Sequence, residues 1–314
     1  MPGKALAVTV WLLGFTAVVC AQQPATLHVA KSDLWTTEGK PFVLQSRVAE
    51  VGVPLAVTDL SGKPVSGLTR DDLQILENGR PASITQLVRE DDLPLRIALV
   101  LDWSESMQKD LQFERKVALD FLRTTLRPEV DQATVVGFRY RVEVTQALTS
   151  DFESLEAGLR PVSGVSLSSV YDALIAAVDE LRTADPYLPQ RRAIVLLSDG
   201  EDNVSAHSLA DVIQAAQRAN VTIYTITPRR RRVRSVGDKV LKELAGVTGG
   251  RAFFIPPSGE QLAFERIEED LRSSYAVYFK PGAVDGDRFR SLEITTRDRK
   301  LQVWAQHSYY AGWK

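Results

Sequence analysis

The chain has 314 residues, of which 44% are hydrophobic and 25% are charged, and its formal net charge is −2. This composition is that of an ordinary globular protein, and the length allows one large or two modest domains. A charge so close to zero gives no general attraction to nucleic acid or to an anionic membrane.

The first 21 residues have the pattern of a secretory signal peptide. Lys4 is followed by an apolar run over 5–19, and the residues at 19 and 21 favour cleavage after Ala21. The run is short for a membrane-spanning helix, so a retained anchor is the second interpretation. Lipidation of Cys20 is the third. We expect a secreted or periplasmic protein with no membrane insertion once the signal is removed.

Cys20 is the only cysteine of the chain, so the predicted mature protein has none. Its absence excludes a cysteine nucleophile, a zinc thiolate site and a redox motif from the mature protein. An exported protein without disulfides depends on its hydrophobic core for stability, and this chain is long enough to form one.

Residues 22–94 are predicted to form an N-terminal β segment. Residues 22–40 are polar, and β-rich stretches follow at 42–51, 53–59, 73–77 and 84–88. Asn78-Gly79 is the strongest hairpin signal in the chain.

Residues 95–274 alternate between strand and helix patterns. Near-continuous apolar runs or β-branched stretches predict strands at 95–102, 133–138, 142–145, 193–197, 221–226 and 252–255. Apolar residues at helical spacing predict helices at 109–126, 170–181, 209–219, 240–247 and 262–271. This alternation predicts an α/β fold with a doubly wound, mostly parallel sheet, in which 142–145 forms an antiparallel edge strand.

Residues 275–314 return to β patterns, with strands expected at 275–279, 289–296 and 301–307. An α/β domain inserted between two β segments is the simplest arrangement. We expect the C-terminal strands to pack with the N-terminal β segment as a small flanking β-domain.

The first strand of the α/β region ends in a pattern of oxygen ligands. Asp102, Ser104 and Ser106 are spaced i, i+2, i+4, which places their side chains on one side of an extended segment. Asp199 follows a second buried strand, so we expect it at the same sheet edge. Oxygen-only ligands suit Mg²⁺, with Mn²⁺ or Ca²⁺ as alternatives. A hydroxyl from the loop before the 170–181 helix is expected to join them, from one of Ser166, Ser168 and Ser169.

These segments resemble the von Willebrand factor type A family, including a subgroup of exported bacterial proteins. Residues 102–106 match its Asp-x-Ser-x-Ser motif, and 198–200 match its later Ser-Asp-Gly. Residues 168–174 resemble its Thr-Ala-Leu-Tyr-Asp-Ala-Leu segment, with Ser168 in place of the threonine. The resemblance covers roughly residues 95–275 and extends into the flanks through residues 57–68, 77–79 and the closing Tyr309-Tyr310.

The resemblance implies a metal-ion-dependent adhesion site. Ser104 and Ser106 would bind Mg²⁺ directly, Asp102 and Asp199 directly or through water, and Ser168 would replace the family threonine. In the family, an acidic residue of a partner protein completes the metal sphere. Mg²⁺ keeps exchangeable waters that such a carboxylate can displace, so the predicted function is metal-dependent protein binding without enzymatic activity.

Two other functions stay open. The first is a structural scaffold with a vestigial metal site, and the second is a metal-dependent hydrolase. No phosphate-binding glycine loop or nucleophile elbow supports the hydrolase. Glu105 departs from the small residue usual between the two serines. The run Arg229–Arg234 is read as a solvated loop or as a contact for an acidic partner, in preference to nucleic acid.

Overall fold

The structure is a computed structural model, and it describes residues 50–105, 107, 111–162, 167–184, 189–228, 235–256, 259–282 and 289–311, without the side chains of 111–114. The predictions that fall outside these residues concern the signal segment 1–21 with Cys20, the stretch 42–49, Ser106, Ser166 and the arginine run 229–234.

The described part of the N-terminal segment consists of short strands: β1 (Val51–Asp59), β2 (Leu73–Glu77), β3 (Arg80–Pro81) and β4 (Ile84–Arg89). A single 3₁₀ turn, Arg70–Asp72, precedes β2. The hairpin between β2 and β3 turns at Asn78 and Gly79, whose φ angles are 48° and 73°. Two successive positive φ angles are what an Asn-Gly pair tolerates best, so the hairpin predicted at this dipeptide is present.

An α/β core follows. Its strands are β5 (Leu95–Asp102), β6 (Gln132–Phe138), β7 (Val142–Thr149), β8 (Arg191–Leu197), β9 (Val221–Pro228) and β10 (Ala252–Ile255). Its helices are α1 (Leu111–Thr125), α2 (Phe152–Gly158), α3 (Val170–Arg182), α4 (Leu209–Ala219), α5 (Val236–Val247) and α6 (Glu260–Arg272). Within the described residues, none of the helices is both long and apolar enough to cross a membrane.

The six core strands form one sheet in the order β10-β9-β8-β5-β6-β7. All neighbouring pairs are parallel except β6 and β7, which pair antiparallel at the edge. The predicted α/β fold with a mostly parallel sheet and one antiparallel edge strand is therefore confirmed.

Strand β5 lies in the middle of this sheet and is buried on both faces. Successive side chains of a strand point to opposite faces, so Leu99 joins one hydrophobic core and Val100 joins the other. Because the strands are parallel, the residues that follow β5, β6, β8 and β9 all emerge at the same edge. This geometry brings the end of β5 next to the end of β8.

Two helices differ from the sequence prediction. Helix α2 was not predicted, because its seven residues are too few to show an apolar period. Asp151 caps this helix by accepting hydrogen bonds from the backbone N–H groups of Glu153 and Ser154. Helix α5 begins at Val236 and not at 240, because Ser235 caps it through the N–H of Asp238 at 3.0 Å.

The C-terminal strands are β11 (Ser274–Phe279), β12 (Phe289–Thr296), β13 (Leu301–Ala305) and β14 (Ser308–Tyr310). The expected single strand at 301–307 is split, because the chain leaves one sheet at Ala305 and enters another at Ser308. Between them, His307 donates its N–H to the carbonyl of Val247 at 3.0 Å.

Strands from both ends of the chain share two further sheets, ordered β13-β1-β11-β4 and β14-β12-β2-β3. Their facing side chains form a third hydrophobic core. The described residues, from 50 to 311, group into one compact unit. The division into 22–94, 95–274 and 275–314 stays a proposal.

Candidate functional site

Asp102, the last residue of β5, is the centre of a buried polar cluster. Asp102 is only 2% exposed. Oδ1 accepts the backbone N–H of Ser104 at 2.9 Å, and Oδ2 accepts the hydroxyl of Ser198 at 2.7 Å. The hydroxyl of Ser168 lies between the two carboxylate oxygens, 3.2 Å from Oδ1 and 3.3 Å from Oδ2. Three separate loops therefore meet at one carboxylate.

Burial dominates the electrostatics of this carboxylate. It raises the pKa of Asp102 because a charged group loses solvation in the interior. The hydrogen bonds from Ser198 and Ser104 act in the opposite direction, and the negative charge of Asp199 raises the pKa further. A positive charge placed between Asp102 and Asp199 would stabilise both carboxylates in their ionised forms.

The loop before α3 contributes Ser168 to the cluster. Ser168 is buried, whereas the hydroxyl of its neighbour Ser169 points away and donates to the carbonyl of Tyr140 at 2.9 Å. Asn203 holds the Ser168 backbone from both sides, since its Oδ1 accepts the Ser168 N–H at 3.2 Å and its own N–H donates to the Ser168 carbonyl at 2.9 Å. Of the hydroxyls weighed for this position, Ser168 is the one that the described residues place beside Asp102.

The loop after β5 contributes Ser104 to the cluster and Trp103 to the core beneath it. Ser104 is buried, with 6% exposure, whereas Glu105 faces solvent. Trp103 packs in the core below, and its backbone carbonyl accepts a hydrogen bond from the Arg139 guanidinium. A Cβ at Gly137 would lie 2.8 Å from the Trp103 indole nitrogen, so only glycine leaves room for this ring. Ser106, the third residue of the predicted motif, lies outside the described residues.

Asp199 and Gly200 form the turn after β8. Gly200 has a φ of +76°, a conformation that favours glycine, and a Cβ there would lie 2.6 Å from Leu241 Cγ. A Cβ on Gly237 of α5 would lie 2.2 Å from the Asp199 carbonyl oxygen. These two glycines therefore allow the first turn of α5 to pack directly against this loop. The Asp199 side chain is half-buried and accepts the N–H of Glu201 at 3.2 Å.

The rest of the β8–α4 loop is fastened to the first turn of α3. Asp172 accepts the backbone N–H groups of Ala206 and His207, and its Oδ1 lies 2.7 Å from Nδ1 of His207. Asp202 accepts the N–H of Tyr171 at 3.3 Å. These contacts fix the loop that carries Asp199 against the helix that follows Ser168.

The donor set fits a hard divalent cation. Two carboxylates and two hydroxyls come from three loops, with Asp102, Ser104 and Ser168 buried and Asp199 half-buried. Among the described residues, no group of three or more His, Cys, Asp or Glu side chains converges as a metal site. A cation here would depend on serine hydroxyls as well as carboxylates, which is oxygen chemistry suited to Mg²⁺.

Two residues of this cluster were not assigned a role from the sequence. Ser198 was quoted only as part of a motif, yet it donates a hydrogen bond of 2.7 Å to Asp102. Asn203, which positions Ser168, was not singled out. The strand register contains the signal for Ser198: Leu101 lies opposite Leu197, so the next residues, Asp102 and Ser198, stand at the same level. No sequence pattern marks Asn203.

Comparison with known proteins adds a family match and several similar folds. The family described as "von Willebrand factor type A domain" matches residues 97–269. No curated protein matches the chain.

Three solved structures are among those that are similar to this chain. BatB, a conserved hypothetical protein from Bacteroides thetaiotaomicron, is 18% identical, covers 56% of this chain and 97% of its own, and has a TM-score of 0.46. Proximal thread matrix protein 1 from the mussel byssus, with zinc in its MIDAS motif, is 17% identical, covers 61% and 48%, and has a TM-score of 0.49. The vWF domain of the type V pilus tip protein Mfa5 from Porphyromonas gingivalis is 15% identical, covers 56% and 94%, and has a TM-score of 0.43.

Proposed function

Because the chain belongs to the von Willebrand factor type A domain family, we propose that it is an exported protein-binding module with a divalent metal site at Asp102. In this proposal, Mg²⁺ at the site captures a carboxylate of a partner protein. The observation that carries the proposal is the convergence of Ser104, Ser168 and Ser198 on the buried Asp102 at the carboxyl edge of the sheet.

The proposed ligand set combines neutral and charged oxygens. Ser104 and Ser106 would bind the cation directly, Asp102 and Asp199 directly or through water, and Ser168 would provide a further hydroxyl. The chemistry that Mg²⁺ supplies when bound is positive charge together with water positions that an incoming ligand can exchange. Mn²⁺ and Ca²⁺ are the alternatives for the same oxygen set.

The residues of the chain hold the ligands in place before any partner arrives. Asn203 fixes the Ser168 backbone, Ser198 orients Asp102, and Gly237 supports the turn that carries Asp199. Outer contacts of this kind commonly tune metal affinity. Because neutral hydroxyls make up much of the donor set, the site favours one more carboxylate, and a partner protein is the natural source of it.

A structural scaffold is the second candidate. The observation that favours it is the hydrogen bonding of Asp102, whose two oxygens are satisfied by Ser168, Ser198 and the Ser104 N–H without a cation. Under this alternative the same convergence would only join three loops.

Capture of a partner separates the two candidates. We expect the chain without residues 1–21, once immobilised, to retain a partner protein in the presence of Mg²⁺. The partner should be released when EDTA is added. The Asp199→Ala variant is expected to retain none, whereas Asp298→Ala, an exposed aspartate between β12 and β13, is expected to behave like the unchanged protein. Retention that is unaffected by EDTA and by the Asp199→Ala substitution would support the scaffold.

A further inference from the structure

A cavity of about 170 Å³ lies at the end of the central sheet opposite to Asp102. Arg191 and Thr222, at the beginnings of β8 and β9, line it together with residues of β1 and β11 from a flanking sheet. Asp102, by contrast, is the last residue of its strand, and these core strands are parallel. The cavity is smaller than the roughly 300–1,000 Å³ of pockets for drug-sized ligands, so it suits a small molecule.

Small side chains of the flanking sheet leave this space open. Gly52 and Pro54 of β1 lie opposite Tyr278 and Ala276 of β11, and all four line the cavity. A Cβ on Gly52 would lie 2.7 Å from Cε1 of Tyr278, so the glycine leaves room for the tyrosine ring beside it. The register of two paired strands therefore shapes one wall of the cavity.

Arg191 is a buried cation of the cavity. It is only 6% exposed, and its backbone N–H donates to the carbonyl of Pro94 at 2.9 Å, which fixes it at the start of β8. Within the described residues, Nε and Nη1 of its guanidinium have no hydrogen-bond partner. Buried donors without a partner are costly and uncommon, and the shape of a guanidinium matches that of a carboxylate.

Glu90, directly after β4, is the anion of the same cavity. It is half-buried, and its backbone N–H donates to the carbonyl of Ser274 at 2.8 Å. Burial raises the pKa of Glu90, and the charge of Arg191 acts in the opposite direction. The two side chains line one cavity, yet in the described part of the chain they make no ion pair with each other. A cation beside Glu90 would stabilise its ionised form.

Arg192 is the third charged residue of the lining, and its guanidinium is already engaged. Its Nε donates to the carbonyl of Leu181 at 3.1 Å, and its Nη1 donates to the carbonyl of Ala219 at 3.4 Å. These carbonyls lie at the C-terminal ends of α3 and α4, where a helix favours a positive charge. Arg192 therefore has a structural role that does not depend on a ligand.

Two acids outside the lining also act on it. Asp270 is buried near Arg191, but its carboxylate pairs with Arg251 at 3.2 Å. Glu50 is exposed, and its charge acts on Tyr278. The lining thus contains one guanidinium and one carboxyl group that face the same space without a direct partner.

We propose that this cavity binds a small zwitterion, an amino acid with a short side chain, whose carboxylate pairs with Arg191 and whose ammonium group pairs with Glu90. A ligand with only one of the two charges would leave the other group of the protein without a partner. The site is separate from the proposed metal site, because the two lie at opposite ends of the sheet.

The test is equilibrium dialysis of the purified protein against radiolabelled alanine, at constant pH and ionic strength. We expect saturable binding of one alanine per chain. Unlabelled glycine should compete, whereas acetate and methylammonium, which each carry only one of the two charges, should not compete at the same concentration. Phenylalanine has both charges but a bulky side chain, and it should compete poorly because of the size of the cavity.

Matched substitutions assign the binding to the two side chains. Glu90→Gln keeps the size of the side chain and removes its charge, and it should weaken alanine binding about tenfold or more. Arg191→Lys keeps the charge and loses the guanidinium shape, and it should also weaken binding. Glu153→Gln and Arg123→Lys make the same changes at exposed positions away from the cavity, and they should bind alanine like the unchanged protein.

Thermal unfolding would confirm that each variant is folded, and Glu90→Gln alone suffices for the test if Arg191→Lys is not. Absence of alanine binding would overturn the proposal and leave the cavity to water. Competition by acetate as strong as that by glycine would also overturn it, in favour of a simple anion site. Equal affinity in Glu90→Gln and in the unchanged protein would have the same consequence. None of these results bears on the metal site at Asp102, which is tested separately with Mg²⁺.

Discussion

Ser198 donates its hydroxyl to Oδ2 of Asp102 at 2.7 Å, and its own oxygen accepts the backbone N–H of Gly200 at 3.0 Å. One fully buried hydroxyl thereby connects the carboxylate at the end of β5 to the turn that carries Asp199. Ser198 is an orienting residue for the proposed metal site, although it is not one of the proposed ligands.

Removal of this hydroxyl should weaken metal binding. Ser198→Ala is expected to lower the affinity for Mg²⁺ about tenfold, as loss of outer contacts does at other metal sites, and calorimetric titration would measure it. Ser154→Ala, which removes a hydroxyl paired with Asp151 on the exposed start of α2, is the matched control. Unchanged affinity in Ser198→Ala would show that Asp102 needs no such orientation.

Two glycines with nearly the same backbone conformation provide a test of packing at the site. Gly200 and Gly79 have φ angles of 76° and 73°, but a Cβ at Gly200 would lie 2.8 Å from the Gly237 carbonyl oxygen, whereas nothing lies within 4 Å of one at Gly79. Gly79→Ala should cost about 1 kcal/mol of unfolding free energy for the positive φ alone.

Gly200→Ala should cost about 2–4 kcal/mol, because the steric overlap adds to the φ penalty. Chemical denaturation of both variants measures the difference. Equal costs would mean that α5 can move away from the turn without loss.

Asp131 anchors the opposite end of β5. It is fully buried and accepts the N–H of Leu95 at 2.7 Å, while the guanidiniums of Arg127 and Arg272 pair with its carboxylate. Asp131→Asn should lower the unfolding free energy by about 3 kcal/mol, because it leaves arginines without their buried partner. Asp92→Asn, whose fully exposed carboxylate lies 3.9 Å from Arg127, should leave the unfolding free energy unchanged.

The contribution of Asp131 should also depend on pH. Burial works to raise its pKa, but hydrogen bonds from Arg127, Leu95 and Arg272 outweigh burial and lower the pKa below its ordinary value. A lowered folded-state pKa stabilises the fold above the unfolded value of about 3.9 and loses that effect as pH falls through the folded one. The stability difference between the unchanged protein and Asp131→Asn should therefore shrink in acid.

Asp270 should show the opposite dependence. Burial raises the pKa of Asp270 to about 6, although the Arg251 guanidinium 3.2 Å away partly offsets it. The folded state then holds a proton that the unfolded chain has released, so stability should fall as pH rises from about 4 to about 6, by up to about 3 kcal/mol.

Denaturation of the unchanged protein and of Asp270→Asn across this pH range measures the effect. The gap between the two curves should change with pH, while Glu265→Gln, at an exposed position of the same helix, should follow the unchanged protein. Parallel curves for Asp270→Asn and the unchanged protein would contradict the assigned shift.

Much of the fold was predictable because its strongest signals are local. The apolar run before Asp102 has the length and composition of a buried parallel strand, and the Asn78-Gly79 pair has few alternatives to a tight hairpin. The short helix α2 has no such pattern. The break between β13 and β14 was hidden for another reason: it depends on a long-range contact between His307 and Val247.

The residues of the candidate site were easier to predict from the sequence than the hydrogen bonds that join them. Parallel strands place Asp102 and Asp199 at one edge, and Ser168 precedes a helix that packs on the same sheet. The role of Ser198 follows only from the strand register, and that of Asn203 only from the path of the β8–α4 loop. Hydrogen bonds between loops that are far apart in the sequence produce no periodic pattern of residues in it.

Titration of Mg²⁺ into the protein lacking residues 1–21 is the direct test of a metal site at Asp102, with Ser104→Ala and Asp199→Ala measured beside it. Thermal unfolding without metal would confirm that all three proteins are folded. We expect saturable binding of one Mg²⁺ by the unchanged protein and its loss in both variants. Absence of binding in the unchanged protein, or equal binding in all three, would contradict a metal site at Asp102.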